Sequence, residues 1–293
     1  MHMDGNSQAV VRALGAVVLW STAASAFRLS LDHGSPWQVL LVASTTSTVV
    51  FLVALLYGGG GFTRRDLLAA AVRGALNPFL YYLVLLSAYD GLPAQVAMVV
   101  NYLWPLTLTL LAVPLLGQKL TAGALGGIAV SFSGVALMAL LRGGTSGGVP
   151  LLPLVLAFAS TVIWSLSWIL NTRAEGPVAR NLFLNFCFGT LYLVIWGLLS
   201  GQVFPSGREV IAGGCYIGLF EMGLAFLLWN TALKRSDRAS RVSNLIYITP
   251  FLSLGVIALT VREPIAPATV LGLVLVMAGI VIGIRPQKVT ACR

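Results

Sequence analysis

The chain has 293 residues, of which 58% are hydrophobic and only 9% are charged. Because a soluble domain carries roughly a quarter charged residues, this composition cannot supply a water-facing surface. The mean hydropathy of +0.91 indicates a chain that lies in a lipid bilayer. The net charge of +9 does not indicate nucleic-acid binding, because the basic residues stand in short clusters between apolar runs, as in membrane loops.

Ten apolar runs follow one another along the chain, each close to the roughly 20 residues that a helix needs to cross a bilayer. They cover residues 9–28, 37–57, 70–89, 93–115, 121–141, 150–172, 180–200, 210–233, 240–261 and 267–285. The first run contains Arg12 and lacks a small-residue cleavage site, so we expect it to remain in the mature chain. The sequence therefore predicts an all-α integral membrane protein with ten transmembrane helices.

The loop charges predict the orientation of these spans. When the loops are assigned alternately to two sides, 14 of the 18 Lys and Arg residues fall on one side and four on the other. Positively charged loops stay in the cytoplasm. We therefore expect a multi-pass protein of a bacterial-type cytoplasmic (inner) membrane, with both termini in the cytoplasm.

The two halves of the chain resemble each other. Val18-Leu19-Trp20-Ser21 matches Val162-Ile163-Trp164-Ser165 at a shift of 144. A second set matches at a shift of 145: Ala94, Tyr102, Pro105, Gly127 and Gly134 pair with Ala239, Tyr247, Pro250, Gly272 and Gly279. Although the overall identity is low, a constant offset that preserves Trp, Pro and Gly favours a duplication.

The duplication predicts the domain organisation. A first repeat over 1–142 and a second over 150–293 are joined by a Gly-rich linker at 143–149. Each repeat holds five spans, an odd number, so the repeats must insert in opposite orientations. Inverted repeats around a central cavity are the architecture with which transporters alternate access to a midplane site.

Ten spans in two halves, a Trp-Ser pair early in each half, and a fourth-span proline followed by a fifth span with spaced glycines resemble the drug/metabolite transporter superfamily. Within it, the length and the aromatic-rich spans resemble the branch of aromatic amino-acid exporters, with EamA-like five-span repeats. The resemblance implies a basket-shaped bundle in which spans 1, 3, 4, 6, 8 and 9 surround the cavity. Spans 5 and 10 would then pack outside.

Acidic residues are scarce inside the spans, and Glu221 is the one that falls in the middle of a span. A charge in mid-bilayer costs about 2.5–3.5 kcal/mol or more and is therefore a functional candidate. At the shift of 144, Glu221 corresponds to Asn77 in the third span. Alternatively, both side chains could serve only to hydrogen-bond neighbouring helices.

Helical spacing predicts which side chains share a face with these two residues. On the third span, Asn77 and Tyr81 share a face, and Tyr82 lies at the edge of that face. On the eighth span, Glu221, Ala225 and Trp229 form a second stripe. Aromatic residues on the first and sixth spans point to the same cavity if the resemblance holds: Trp20, Trp164 and Trp168. The alternative for all of these rings is ordinary packing or an interfacial belt.

Pro105 and Pro250 are expected to break the fourth and ninth spans, because proline removes a backbone donor and frees the carbonyl four residues earlier. A simple kink is the alternative. Asn101 and Tyr247 lie next to these breaks and are further candidates for contact with a polar substrate group.

No cation is expected in the middle of a span, since each lies at or near a span end, and this disfavours phosphorylated substrates. A cavity of Trp, Tyr and Asn with one carboxyl group suits amino acids, and also cationic drugs. We therefore expect a secondary transporter that exports aromatic and other hydrophobic amino acids by alternating access, with a proton-coupled multidrug or cationic-metabolite exporter as the alternative. A channel is a further option.

The sequence predicts no enzyme, no catalytic residue, no metal and no cofactor, because nucleophile–base pairs and metal-ligand clusters are absent from the spans. The expected partners are a small-molecule substrate and the lipid bilayer. Small residues at every fourth position, such as Gly127 and Ser131 in span 5 and Gly279 and Gly283 in span 10, allow helices to approach closely. Such faces are compatible with a monomer and with a homodimer.

Overall fold

The computed structural model describes residues 5–58, 61–143, 149–236 and 242–284. Within these ranges, eight helices are long and apolar enough to cross a membrane, and two further apolar helices are shorter. In chain order the helices are α1 (Ser7–Leu31), α2 (Pro36–Gly58), α3 (Arg64–Gly91), α4 (Ala94–Leu116), α5 (Ala122–Gly143), α6 (Leu151–Thr172), α7 (Val178–Leu199), α8 (Arg208–Arg235), α9 (Asn244–Thr260) and α10 (Pro267–Ile284).

Each expected span corresponds to one helix, but membrane crossing by α9 and α10 stays a prediction because these helices are shorter. The core of the predicted linker, residues 144–148, lies outside the described residues. The same holds for several of the cations behind the predicted orientation: Arg238, Arg241, Arg285, Lys288 and Arg293.

The start of α3 differs from the expectation by six residues, since the helix begins at Arg64 instead of residue 70. Thr63 and Asp66 form a capping box, in which the Asp66 N–H donates to Thr63 Oγ1 and the Thr63 N–H donates to the Asp66 carboxylate. Arg73 therefore lies inside α3 and is only 6% exposed. The expectation places Arg73 near the start of its span, whereas in α3 the helical residues 64–72 precede it.

Two helices are interrupted at corresponding positions of the two halves. In α3 the regular helix ends at Gly74 and a wide π-helical stretch follows over Ala75–Leu80, where Asn77 leaves helical geometry. In α8 a π-helical stretch covers Ile217–Leu224 and contains Glu221. Such wide turns recur at functional sites, because they tilt side chains and loosen the backbone hydrogen bonding locally.

The prolines divide α4 and α9, as expected. Pro105 and Pro250 stand in the first turn of a restarted helix, after a tight turn that holds Tyr102 in one half and Tyr247 in the other. The carbonyl of Ile246 was expected to be free, but it accepts a hydrogen bond from the Thr249 N–H. The 3₁₀ turn therefore provides a hydrogen bond for a backbone carbonyl that the proline would otherwise leave without a donor.

The small-residue faces of α5 and α10 pack against each other within the chain. Gly127 lies against the carbonyl of Gly279, and Gly134 lies against the carbonyl of Gly272. The Ser131 hydroxyl donates to the Val276 carbonyl at 2.9 Å. Because the two helices touch backbone to backbone, a side chain larger than hydrogen does not fit there.

This contact predicts a position-specific effect on stability. Gly127→Leu should lower the free energy of unfolding by about 1–3 kcal/mol, since overpacking forces the helices apart. Gly126→Leu is the matched control, because no atom lies within 4 Å of a Cβ added at Gly126. Thermal unfolding in detergent measures both variants, and equal midpoints would contradict the packing described here.

Candidate functional site

A narrow cavity of about 90 Å³ lies among α1, α3, α4, α6, α8 and α9. Most of its wall is aromatic, with a few polar groups set between the rings. Its lining comprises Trp20, Ala23, Ala24, Phe27, Tyr81, Tyr82, Leu85, Tyr89, Met98, Asn101, Tyr102, Trp104, Trp164, Trp168, Glu221, Phe226, Ile246 and Ser253.

Glu221 is held firmly at this cavity. Its side-chain Oε1 accepts a hydrogen bond from the Tyr82 hydroxyl at 2.9 Å, and its backbone carbonyl accepts one from Trp20 Nε1 at 3.3 Å. The residue is 6% exposed, and Oε2 has no hydrogen-bond partner among the described residues. The carboxyl group therefore has a fixed orientation and one oxygen left for a ligand, since buried polar atoms rarely stay unpaired.

The aromatic rings form a continuous wall from α3 to α8. The rings of Tyr81 and Trp164 lie 4.5 Å apart at an interplanar angle of 35°. Trp164 meets Phe226 edge to face at 5.9 Å, and Trp20 meets Phe226 in the same way at 6.0 Å. Rings locked by such contacts present rigid flat surfaces to an aromatic solute.

A wider cavity of about 310 Å³ adjoins the narrow one. The two share Trp20, Trp164, Trp168 and Phe226, and the wide cavity reaches the exposed residues Thr172 and Lys234. The rest of its lining comprises Asn77, Ser167, Asn171, Ala174, Leu182, Asn185, Phe186, Trp229, Asn230 and Leu233. The wide cavity thus leads from the narrow one to the end of the bundle that carries Lys234.

Aromatic rings close the narrow cavity at its other end. Phe27 and Tyr89 are buried and meet edge to face at 5.2 Å. Their chain neighbours Arg28 and Asp90 line a separate open depression of about 640 Å³. One aromatic layer therefore separates the narrow cavity from this depression.

A hydrogen-bond cluster reinforces the closed end. Glu263 accepts from the Ala94 N–H at 2.9 Å and from Gln95 Nε2 at 3.2 Å, while Gln95 Oε1 accepts from the Ala266 N–H at 3.3 Å. Gln95 is almost fully buried. The start of α4 is thereby tied to the segment between α9 and α10.

Nine of the ten residues predicted to bind substrate line the two cavities. The narrow cavity receives Trp20, Tyr81, Tyr82, Asn101, Trp164, Trp168 and Glu221, and the wide cavity receives Asn77 and Trp229. Tyr247 lines neither; it is half-buried and packs against the core.

Sequence reasoning missed Phe226, which lines both cavities, because it assumed regular helical spacing after Glu221. Ala225 was expected on that face, but it is fully buried and lines neither cavity. In a π-helical stretch the repeat lengthens towards five residues, which brings position i+5 onto the face of Glu221. Asn185 and Phe186 on α7 were also missed.

Helices of membrane-spanning length around two adjoining cavities are the arrangement expected of a multi-pass membrane transporter. Residues 7–140 and 151–284 each match the profile of the EamA-like transporter family. The chain therefore belongs to the EamA-like transporter family.

Several named exporters are similar to this chain. An aromatic amino acid exporter, YddG, of Ancylobacter novellus is 31% identical over 186 residues, which are 62% of this chain and 64% of that exporter, just under two thirds of its length. The protein of the same name from Salmonella typhimurium is 25% identical over 94% of this chain and 96% of its own. A protein of Streptantibioticus cattleyicolor named "Probable terminal-alkyne amino-acid exporter" is 28% identical over 94% and 93%.

The fold is shared with a solved structure. That crystal structure superposes with a TM-score of 0.67 at 26% sequence identity, over 95% of this chain and 96% of the other. The similarity thus covers both halves of the chain.

The Tyr82–Glu221 contact predicts a measurable loss of stability. Tyr82→Phe removes the hydrogen bond to Oε1 and leaves a buried carboxyl group without a side-chain partner, which should cost about 1–3 kcal/mol of unfolding free energy. Tyr81→Phe is the matched control, because the Tyr81 hydroxyl donates to Asn101 over a long 3.4 Å. Equal unfolding midpoints of the two variants in detergent would refute the special role of Tyr82.

Proposed function

We propose that the chain is a secondary transporter that exports aromatic and other hydrophobic amino acids across a cytoplasmic membrane by alternating access. The observation that carries this proposal is the unpartnered Oε2 of Glu221 at a cavity walled by aromatic rings. An ammonium group satisfies the carboxyl oxygen, while the ring of the solute packs against Trp164 and Tyr81. Cation–π and ring contacts of this kind contribute about 0.5–2 kcal/mol each.

The relatives support the same substrate class. Two of them are named aromatic amino acid exporters, and a third is named for export of an alkyne-bearing amino acid. The nine expected residues that line the cavities are proposed as substrate contacts. Tyr247, which lines neither cavity, is proposed to support the break in α9.

Alternating access is supported by the unequal ends of the cavities. In the proposed orientation both termini and Lys234 face the cytoplasm, so the wide cavity is the cytoplasmic entrance and the layer of Phe27 and Tyr89 is the closed exit. Rocking of two inverted five-helix repeats would close the wide cavity towards the cytoplasm and open the layer of Phe27 and Tyr89 on the opposite side. The breaks at Pro105 and Pro250 supply points at which α4 and α9 bend.

The second candidate is a proton-coupled exporter of cationic drugs or metabolites. Glu221 favours it, because one buried carboxyl group at a central cavity can exchange a proton for an organic cation. The wide cavity opposes it, because its lining carries Lys234 and no acidic residue.

A ring-wall variant tests the leading proposal. In proteoliposomes loaded with unlabelled L-phenylalanine, Trp164→Ala should reduce counterflow of labelled L-phenylalanine on the order of tenfold, since a stacking surface worth roughly 0.5–1.5 kcal/mol is lost together with its burial. Trp196→Ala is the control, because Trp196 is 47% exposed and lines neither cavity. Absence of counterflow by the unmodified protein would overturn the proposal.

Glu221→Gln separates the two candidates. For an amino-acid exporter, counterflow of L-phenylalanine should persist with an affinity lowered on the order of tenfold, since a neutral amide accepts a weaker hydrogen bond from an ammonium group. The measurement pairs this counterflow with ethidium uptake driven by a pH gradient. If the unmodified protein accumulates ethidium and the variant does not, the drug-exporter alternative replaces the proposal.

A further inference from the structure

A buried arginine stands behind the wide cavity without a carboxylate partner. Arg73 Nε donates to Asn185 Oδ1 at 3.2 Å, and within the described residues no carboxylate oxygen lies at ion-pair distance from its guanidinium. Asp66, two turns earlier on α3, is paired with Arg180 at 3.3 Å. Asp66 attracts Arg73 through space without forming an ion pair with it, and the side-chain hydrogen bond of the guanidinium within the described residues goes to Asn185. Because a buried charge in a transporter helix marks substrate pathways, the contact between Arg73 and Asn185 points to a function beyond packing.

The arginine sets the direction of a hydrogen-bond chain. Guanidinium groups only donate, so Asn185 must turn Oδ1 towards Arg73 and its amide N–H groups away from it. Asn185 Nδ2 donates to Asn171 Oδ1 at 3.2 Å, and Asn171 Nδ2 donates to the Ser167 carbonyl at 2.9 Å. One of the two N–H hydrogens of Asn185 is left for a ligand, and Asn185, Asn171 and Ser167 all line the wide cavity.

The position of Arg73 is fixed by the close approach of α3 and α7. A Cβ at Gly74 would collide with the Asn185 carbonyl, and one at Gly189 would collide with Pro78. The backbones of α3 and α7 therefore lie in direct contact at this crossing, which places Arg73 beside Asn185.

The charges of the wide cavity match the carboxylate end of an amino acid. Its lining includes Lys234 and no acidic residue, and Arg73 adds a second positive charge behind Asn185. Donors in a positive field suit a carboxylate. The ammonium group keeps its proposed partner, Glu221.

We propose that the wide cavity is a carboxylate-recognition site, in which Asn185 donates to the carboxylate of the solute and Arg73 is the positioning residue that orients Asn185. The inference rests on the proposed function and narrows it to solutes with a free carboxylate. Decarboxylated amines of the same ring should bind more weakly, because they bring no anion to a cavity with Lys234 in its lining and Arg73 behind it.

The test compares two competitors of labelled L-phenylalanine counterflow: unlabelled L-phenylalanine and phenethylamine, which lacks the carboxylate. The half-inhibitory concentration of phenethylamine divided by that of L-phenylalanine measures carboxylate selectivity. Arg73→Met and Asn185→Asp should each lower this ratio on the order of tenfold. The first substitution removes the positive charge of Arg73, and the second places a carboxylate beside Arg73 that neutralises this charge. Arg73→Lys should restore most of the selectivity, because it keeps the charge.

Arg65→Met is the matched control, since Arg65 also lies on α3 but is exposed and lines neither cavity. It should leave the ratio unchanged even if the rate falls. A merely structural role of Arg73 would lower inhibition by both competitors equally, and an unchanged ratio in Arg73→Met and Asn185→Asp would overturn the inference. Failure of the unmodified protein to exchange L-phenylalanine would instead overturn the proposed function.

Discussion

The bilayer provides no water to satisfy backbone N–H and C=O groups, and this constraint decides where the helices of this chain can be broken. The interruptions of α3, α4, α8 and α9 all lie inside the bundle, next to the cavities. They carry Asn77, Tyr102, Glu221 and Tyr247 at positions related by the internal repeat. The polar side chains of the site therefore occur where irregular backbone is tolerated, and the aromatic rings shield them from lipid.

Much of the site was predictable because it depends on patterns that survive in sequence. Glu221 is conspicuous as an acid in an apolar run, and Trp20 and Trp164 are related by the repeat. Local backbone geometry was not predictable: the π-helical stretch of α8 moves Phe226 onto the face of Glu221 and withdraws Ala225. Sequence periodicity assumes a regular turn, so it fails where the helix widens.

Arg73 illustrates a different limit. Helix α3 starts with three charged residues, Arg64, Arg65 and Asp66. Because such a run is typical of a loop, the span was predicted to begin later, at residue 70. The capping box shows instead that these residues begin the helix. Because the predicted span begins at residue 70, Arg73 was counted with the loop cations, and its contact with Asn185 on α7 was not predicted.

The backbone-to-backbone contact of α5 and α10 has a mechanical consequence. Glycine pairs leave no side-chain gap between the two helices, so the last helix of each half lies in direct backbone contact with its counterpart. In the proposed rocking of the two halves, this contact would act as the hinge axis, and the interrupted helices α3, α4, α8 and α9 would take up the motion. Bends at those interruptions would then change the width of the cavity mouth.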